Sequence, residues 1–213
     1  MKKVIQVLSL LIVSVALGQS VKTSTFMTRQ DLVEPPFLKS GDTVAIVAPS
    51  GILKNREREV TQAEELLKSW GLNVLVSPHV FSQNNHFAGT DSERAADLQK
   101  ALDDPRVSAI WCARGGYGTV RILDLLDFTE FKKHPKWLIG YSDITALHNQ
   151  LNNEGVQSIH ALMCVSLTED LSEIQASVDT FKSAIFGEAL TCLLYTSPSP
   201  RDISAYLVCR LLL

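Results

Sequence analysis

Apolar positions in this chain follow two alternating rhythms from Gly41 onward. Residues 43–48, 73–76, 107–112, 137–139 and 156–160 are short apolar runs, most of them β-branched and closed by turn residues, and they predict five buried strands. Between them the spacing changes to that of a helix. Val60, Ala63, Leu66, Leu67 and Trp70 mark one over residues 57–70, with Gly71 placed to close it. Ala95, Leu98 and Leu102 mark a second, with Thr90 or Asp91 as its cap. Ile122 and Leu126 suggest a short third, and the stretch from Ser142 to Asn153 a fourth. Strands that are apolar on both faces and alternate with helices predict an α/β fold, a parallel sheet with helices on each side.

The rest of the chain has a different character. Met1, Lys2 and Lys3 precede an almost wholly apolar run to Leu17, and small residues stand at Ala16 and Gly18. Residues 1–18 therefore read as a secretory signal peptide, which predicts an exported, periplasmic protein with no stable membrane insertion after cleavage. Residues 19–34 read as a mobile leader, residues 35–190 as the α/β domain and residues 191–213 as a tail. A hydrophobic fraction of 46% and a charged fraction of 20% suit a globular core. A net charge of -3 without a basic block argues against nucleic acid as a partner. Cys112, Cys164, Cys192 and Cys209 lack metal-ligand spacing, so neither a metal site nor a disulfide framework is implied.

Ligands of open parallel sheets gather at the carboxyl ends of the strands. Four loops bring polar residues to that edge: Pro49-Ser50-Gly51, Ala113-Arg114-Gly115-Gly116-Tyr117-Gly118, Gly140-Tyr141-Ser142-Asp143 and the strand end at His160. Ser142 lies between a strand and a helix, where a hydroxyl is held out and an oxyanion formed by its attack would meet the Asp143 amide. An N-cap serine would occupy the same place. Arg114 is a candidate clamp for a terminal carboxylate or a structural bond within its loop. Tyr117 and Ser50 are candidate pocket-lining residues. Of the five histidines, His160 alone is expected near the site.

The segments Pro36-Phe37-Leu38-Lys39-Ser40-Gly41-Asp42-Thr43-Val44, Val47-Ala48-Pro49-Ser50-Gly51, Ala113-Arg114-Gly115-Gly116-Tyr117-Gly118 and Ile139-Gly140-Tyr141-Ser142-Asp143-Ile144-Thr145 together resemble the LD-carboxypeptidase family. That family comprises serine peptidases that trim murein tetrapeptides, with relatives that inactivate microcin C. The resemblance implies a flavodoxin-like or Rossmann-like domain with Ser142 as nucleophile. It further implies an oxyanion hole from Gly115, Gly116 and the Asp143 amide, a pocket-lining His160, a murein peptide substrate, no cofactor and a homodimer.

The family's β-rich C-terminal domain, which supplies a Glu and a His to complete the triad, has no counterpart after about Leu190. Residues 192–202 instead resemble translated sequencing-adapter read-through. The chain as written is therefore expected to have little peptidase activity. Two other readings compete with the peptidase: an exported peptide- or sugar-binding protein, and a nucleotide-binding domain. The second is weak, because the glycine loop lacks both the dinucleotide and the P-loop spacing.

Overall fold

A computed structural model describes residues 32–167 and 171–190. Its strands β1 (Thr43–Val47), β2 (Asn73–Val76), β3 (Val107–Cys112), β4 (Trp137–Gly140) and β5 (Ile159–His160) form one all-parallel sheet, in the order β2-β1-β3-β4-β5. The chain leaves β1 toward one edge for β2, then crosses to the other side for β3. That reversal opens a crevice between the loops after β1 and β3.

Side-chain alternation sorts the strands onto two buried faces. Val44, Ile46, Ala109, Trp111 and Ile139 face α1 (Glu57–Ser69) and the last helix, Gln175–Phe186. Ala45, Val47, Ile110, Cys112 and Leu138 face α2 (Asp91–Asp103), α3 (Thr129–Lys133) and α4 (Thr145–Asn153). The last helix, α5, packs Phe181 against Trp111 at 5.1 Å between ring centroids and against Trp70 at 5.8 Å. Thr90, not Asp91, caps α2. Its hydroxyl accepts from the Glu93 amide at 3.2 Å while the Glu93 carboxylate accepts from the Thr90 amide at 2.7 Å.

Several expectations need correction. The helix suggested by Ile122 and Leu126 is a pair of tight 3-10 turns, Thr119–Arg121 and Leu123–Leu125. The fifth strand covers only its last two expected residues, because Val156 bridges to Val33 instead. Val33, assigned to the leader, is thereby part of the fold. Its amide donates to Gly155 at 2.8 Å, and its carbonyl accepts from Gln157 at 2.9 Å. Helices α3 and α5 have no counterpart among the expected elements. The signal peptide, most of the leader and the tail, with Cys192 and Cys209, lie outside the described residues. No helix among the described residues is long and apolar enough to cross a membrane.

Candidate active site

Strand β4 delivers the chain to its sharpest bend. Tyr141 is extended, and Ser142 then turns into the left-handed region at φ 63° before a 3-10 turn leads into α4. A left-handed non-glycine residue costs about 1–2 kcal/mol and persists only where its surroundings hold it. Gly140 has a separate role. A Cβ there would lie 2.9 Å from Cγ2 of Ile144 and 3.2 Å from Cβ of Cys112, so the bend closes only over a bare Cα. The Ser142 side chain is exposed at the carboxyl edge of the sheet.

The glycine loop after β3 packs directly on this bend. A Cβ on Gly115 would stand 3.2 Å from Cβ of Ser142 and 3.4 Å from the Asp143 nitrogen, so the loop backbone and the Asp143 amide flank the serine. Among the described residues, no oxygen accepts from the amides of Gly115, Gly116 or Asp143. The Gly115 backbone and the Asp143 amide thus lie beside an exposed hydroxyl at the start of a helix, with Gly116 next in the loop and packed toward Gly51. Such an array is suited to an oxyanion.

The loop after β1 forms the opposite wall. The Gly51 amide donates to the Gly115 carbonyl at 3.0 Å, and a Cβ on Gly51 would be only 2.7 Å from that oxygen. Ser50, expected to line the pocket, is fully buried and donates its hydroxyl to Oδ2 of Asp143 at 2.5 Å. The same oxygen accepts from the Thr119 amide at 2.9 Å. The Asp143 carboxylate therefore joins the loops after β1 and β3, instead of capping the following helix. Arg114 is half-buried and donates Nη1 to the Ile52 carbonyl, a bond that ties its loop to the loop after β1. Tyr117 is 53% exposed, with its ring 6.3 Å from His86 and 6.0 Å from Phe87.

The histidines divide clearly. His160 pairs in register with Gly140, and its half-buried ring lies 6.1 Å from Tyr141. His148 is buried, with Nε2 at 3.0 Å from the Gly140 carbonyl and Nδ1 at 2.8 Å from the Ser158 hydroxyl. A carbonyl only accepts, so Nε2 carries the proton and Nδ1 accepts from Ser158. Burial pushes the His148 pKa down to about 4, outweighing the Gly140 bond that would raise it. His148 thus works as a neutral strut under the bend. His79 donates its backbone amide to Asp97 at 2.9 Å and holds a second 2.9 Å contact through Nδ1, which raises its pKa. No described histidine is hydrogen-bonded to Ser142.

Residues 44–161 match the family described as the LD-carboxypeptidase N-terminal domain. The chain belongs to the LD-carboxypeptidase family. A putative carboxypeptidase of Streptomyces coelicolor is 39% identical over 181 residues, covering 83% of this chain and 54% of that protein. A probable murein peptide carboxypeptidase of Bacillus subtilis is 39% identical over 131 residues, covering 61% of this chain and 40% of its own length. Among solved structures, an MccF-like protein from Bacillus anthracis aligns with a TM-score of 0.65 at 29% identity, covering 72% of this chain and 47% of that one. The chain spans about half the length of the relatives it matches. Ser142, Asp143 and the Gly115-Gly116 pair all fall inside the matched LD-carboxypeptidase segment.

Sequence pattern did not mark one residue of this candidate site. Arg94, in the first turn of α2, is 1% exposed and donates to the carbonyls of Pro49 and Gly118 and to Asp91. Its only local signal is a cation in the first turn of a helix, beside the apolar stripe, where the helix dipole disfavours it.

Proposed function

We propose that this domain carries the nucleophile of a serine-type carboxypeptidase that releases the terminal D-alanine of murein tetrapeptides. The observation that supports it best is Ser142 in a left-handed bend beside the unpartnered amides of Gly115, Gly116 and Asp143. Ser142 Oγ attacks the carbonyl of the diamino acid and gives its proton to a general base. Charge builds on the carbonyl oxygen, which the three amides receive. Collapse of this intermediate breaks the C–N bond, the protonated amine leaves as D-alanine, and water hydrolyses the acyl-serine ester. Among the described residues no histidine is hydrogen-bonded to Ser142, which supports a base supplied from the part of the relatives that this chain does not span. By itself the 213-residue chain is then expected to turn over little substrate. The probable murein peptide carboxypeptidase of Bacillus subtilis supports this substrate class. The charged and apolar start of the chain supports action in the periplasm on cell-wall peptide.

The test joins this chain at Gly187 to the C-terminal half of the Bacillus subtilis relative. The fusion should release D-alanine from a murein tetrapeptide, and Ser142→Ala should reduce the rate at least ~10³-fold. Turnover unaffected by Ser142→Ala would refute the reading. The lack of a hydrogen-bonded base favours one competitor, a peptide-binding protein without catalysis. In that case Ser142→Ala would leave peptide affinity unchanged and the fusion would release nothing.

A further inference from the structure

Burying a guanidinium is expensive unless its hydrogen bonds are well matched, and Nε of Arg94 has no partner among the described residues. An apolar side chain could fill this position beside Ala95 and Leu98 without that penalty. What the arginine gains is specific. Nη1 donates to the carbonyls of both Pro49 and Gly118, Nη2 donates to Asp91, and the guanidinium lies 5.0 Å over the Phe87 ring. Asp91 is held in turn by Arg121, whose Nη2 donates to it at 2.6 Å. Gly118 sits at φ 133°, and a Cβ there would press on Phe87 at 2.7 Å and on Nη1 of Arg94 at 3.0 Å.

The next residue along each loop is held from the other side. Ser50 follows Pro49 and Thr119 follows Gly118, and both donate to Oδ2 of Asp143, at 2.5 Å and 2.9 Å. A cation therefore grips residues 49 and 118 while an anion grips residues 50 and 119. The anion belongs to the residue after the nucleophile. We infer that Arg94 is a positioning residue, one half of a clasp with Asp143 that fixes the glycine loop against the serine bend. Without it, the Gly115 and Gly116 amides would lose their fixed distance from the Asp143 amide. The catalytic consequence rests on the peptidase reading, whereas the clasp itself does not.

The test is backbone relaxation and amide exchange by NMR on the 213-residue chain, in wild type, Arg94→Lys and Lys136→Met. Lysine keeps the charge but cannot bond two carbonyls and a carboxylate in one plane. In Arg94→Lys, order parameters at Gly115, Gly116 and Asp143 should fall from about 0.85 to below about 0.6. The bonded amides of Gly51 and Thr119 should exchange at least ~10-fold faster, with Leu98 and Ala101 in α2 within about twofold of wild type. Lys136, just before β4, donates to the carbonyls of Ala101 and Asp104 at the other end of α2, and Lys136→Met should leave all five of these amides unchanged. Loop amides that stay as in wild type while the melting temperature drops would overturn the inference, leaving Arg94 a packing residue.

If Arg94→Lys does not fold, Ser50→Ala opens the anionic half and should loosen the same amides. No change in Ser50→Ala would equally overturn the clasp. In the fusion protein, Arg94→Lys should lower kcat ~10–100-fold with KM nearly unchanged, less than the loss of a whole oxyanion donor. A raised KM with unchanged kcat contradicts the positioning role. A fusion that is inactive with Arg94 intact counts against the peptidase reading alone, and the relaxation result still decides the clasp.

Discussion

Helix α2 has a buried cation at each end, and the two are used differently. At the amino edge of the sheet, Lys136 donates Nζ to the carbonyls of Ala101 at 3.2 Å and Asp104 at 2.6 Å. These are orphan acceptors of the helix C-terminus, where a cation also suits the dipole. At the carboxyl edge, Arg94 opposes the dipole and donates to carbonyls from two loops that follow different strands. Lys136 completes one element. Arg94 joins several. At the amino edge the buried cation thus finishes one helix end, whereas at the carboxyl edge a buried cation, a buried hydroxyl and a left-handed residue tie several loops together around Ser142.

Titration separates the two edges most sharply. His148, under the serine bend, has its pKa pushed down by burial from 6.5 to about 4. The unfolded chain then binds this proton first, so the contribution is complete above pH 6.5 and is lost as pH falls through 4. Stability should drop by about 3 kcal/mol across that window through this group. Urea unfolding at pH 7, 5.5 and 4 should show the drop, and His148→Gln should flatten it. An equal slope in His148→Gln would show that the carboxyl edge does not hold a neutral histidine.

The amino edge should respond at the opposite end of the scale. Burial lowers Lys136 from 10.5 to about 8, against the pull of Asp104 and Asp103. Between those values the unfolded lysine keeps a proton that the folded one has shed. This group therefore favours the folded state increasingly as pH rises from 8 to 10.5, by roughly 2 kcal/mol after allowing for its carbonyl partners. Lys136→Met should remove that rise without affecting D-alanine release by the fusion. Loss of activity in this variant would break the division between the edges.

The smallest effect concerns strain. Ser142→Gly relieves the left-handed backbone and should raise stability by about 1 kcal/mol while abolishing turnover. Ser142→Ala should give no such gain. If glycine destabilises the protein instead, the bend is not held against a local preference.

How far the sequence disclosed this arrangement depended on the range of the interaction. Strands β1 to β4 and helix α1 were legible because their periodicity and closing residues are local. Helix α3 has five residues and one buried side chain, Phe131, too few to show a period. Helix α5 carries Val178, Phe181 and Ile185 at helical spacing, and it was missed even though that signal is present. The serine bend and its glycines could be read, but not which residue takes the positive φ, since that falls on Ser142 and not on Gly140. The clasp was invisible for a plainer reason. Residues 49, 94, 118 and 143 come from four separate segments, and nothing in the local pattern of one refers to the others. Arg114 is the more conspicuous arginine because it stands inside the glycine loop, and its Nη1 bonds the Ile52 carbonyl.

Whether Ser142 forms an acyl-enzyme, as proposed, is read by intact-mass spectrometry of the fusion, quenched in acid during turnover of a murein tetrapeptide. The expected product is a protein heavier by the tripeptide acyl group, mapping to the peptide that contains Ser142 and absent in Ser142→Ala. Release of D-alanine with no adduct in wild type, and at the same rate in Ser142→Ala, would contradict it.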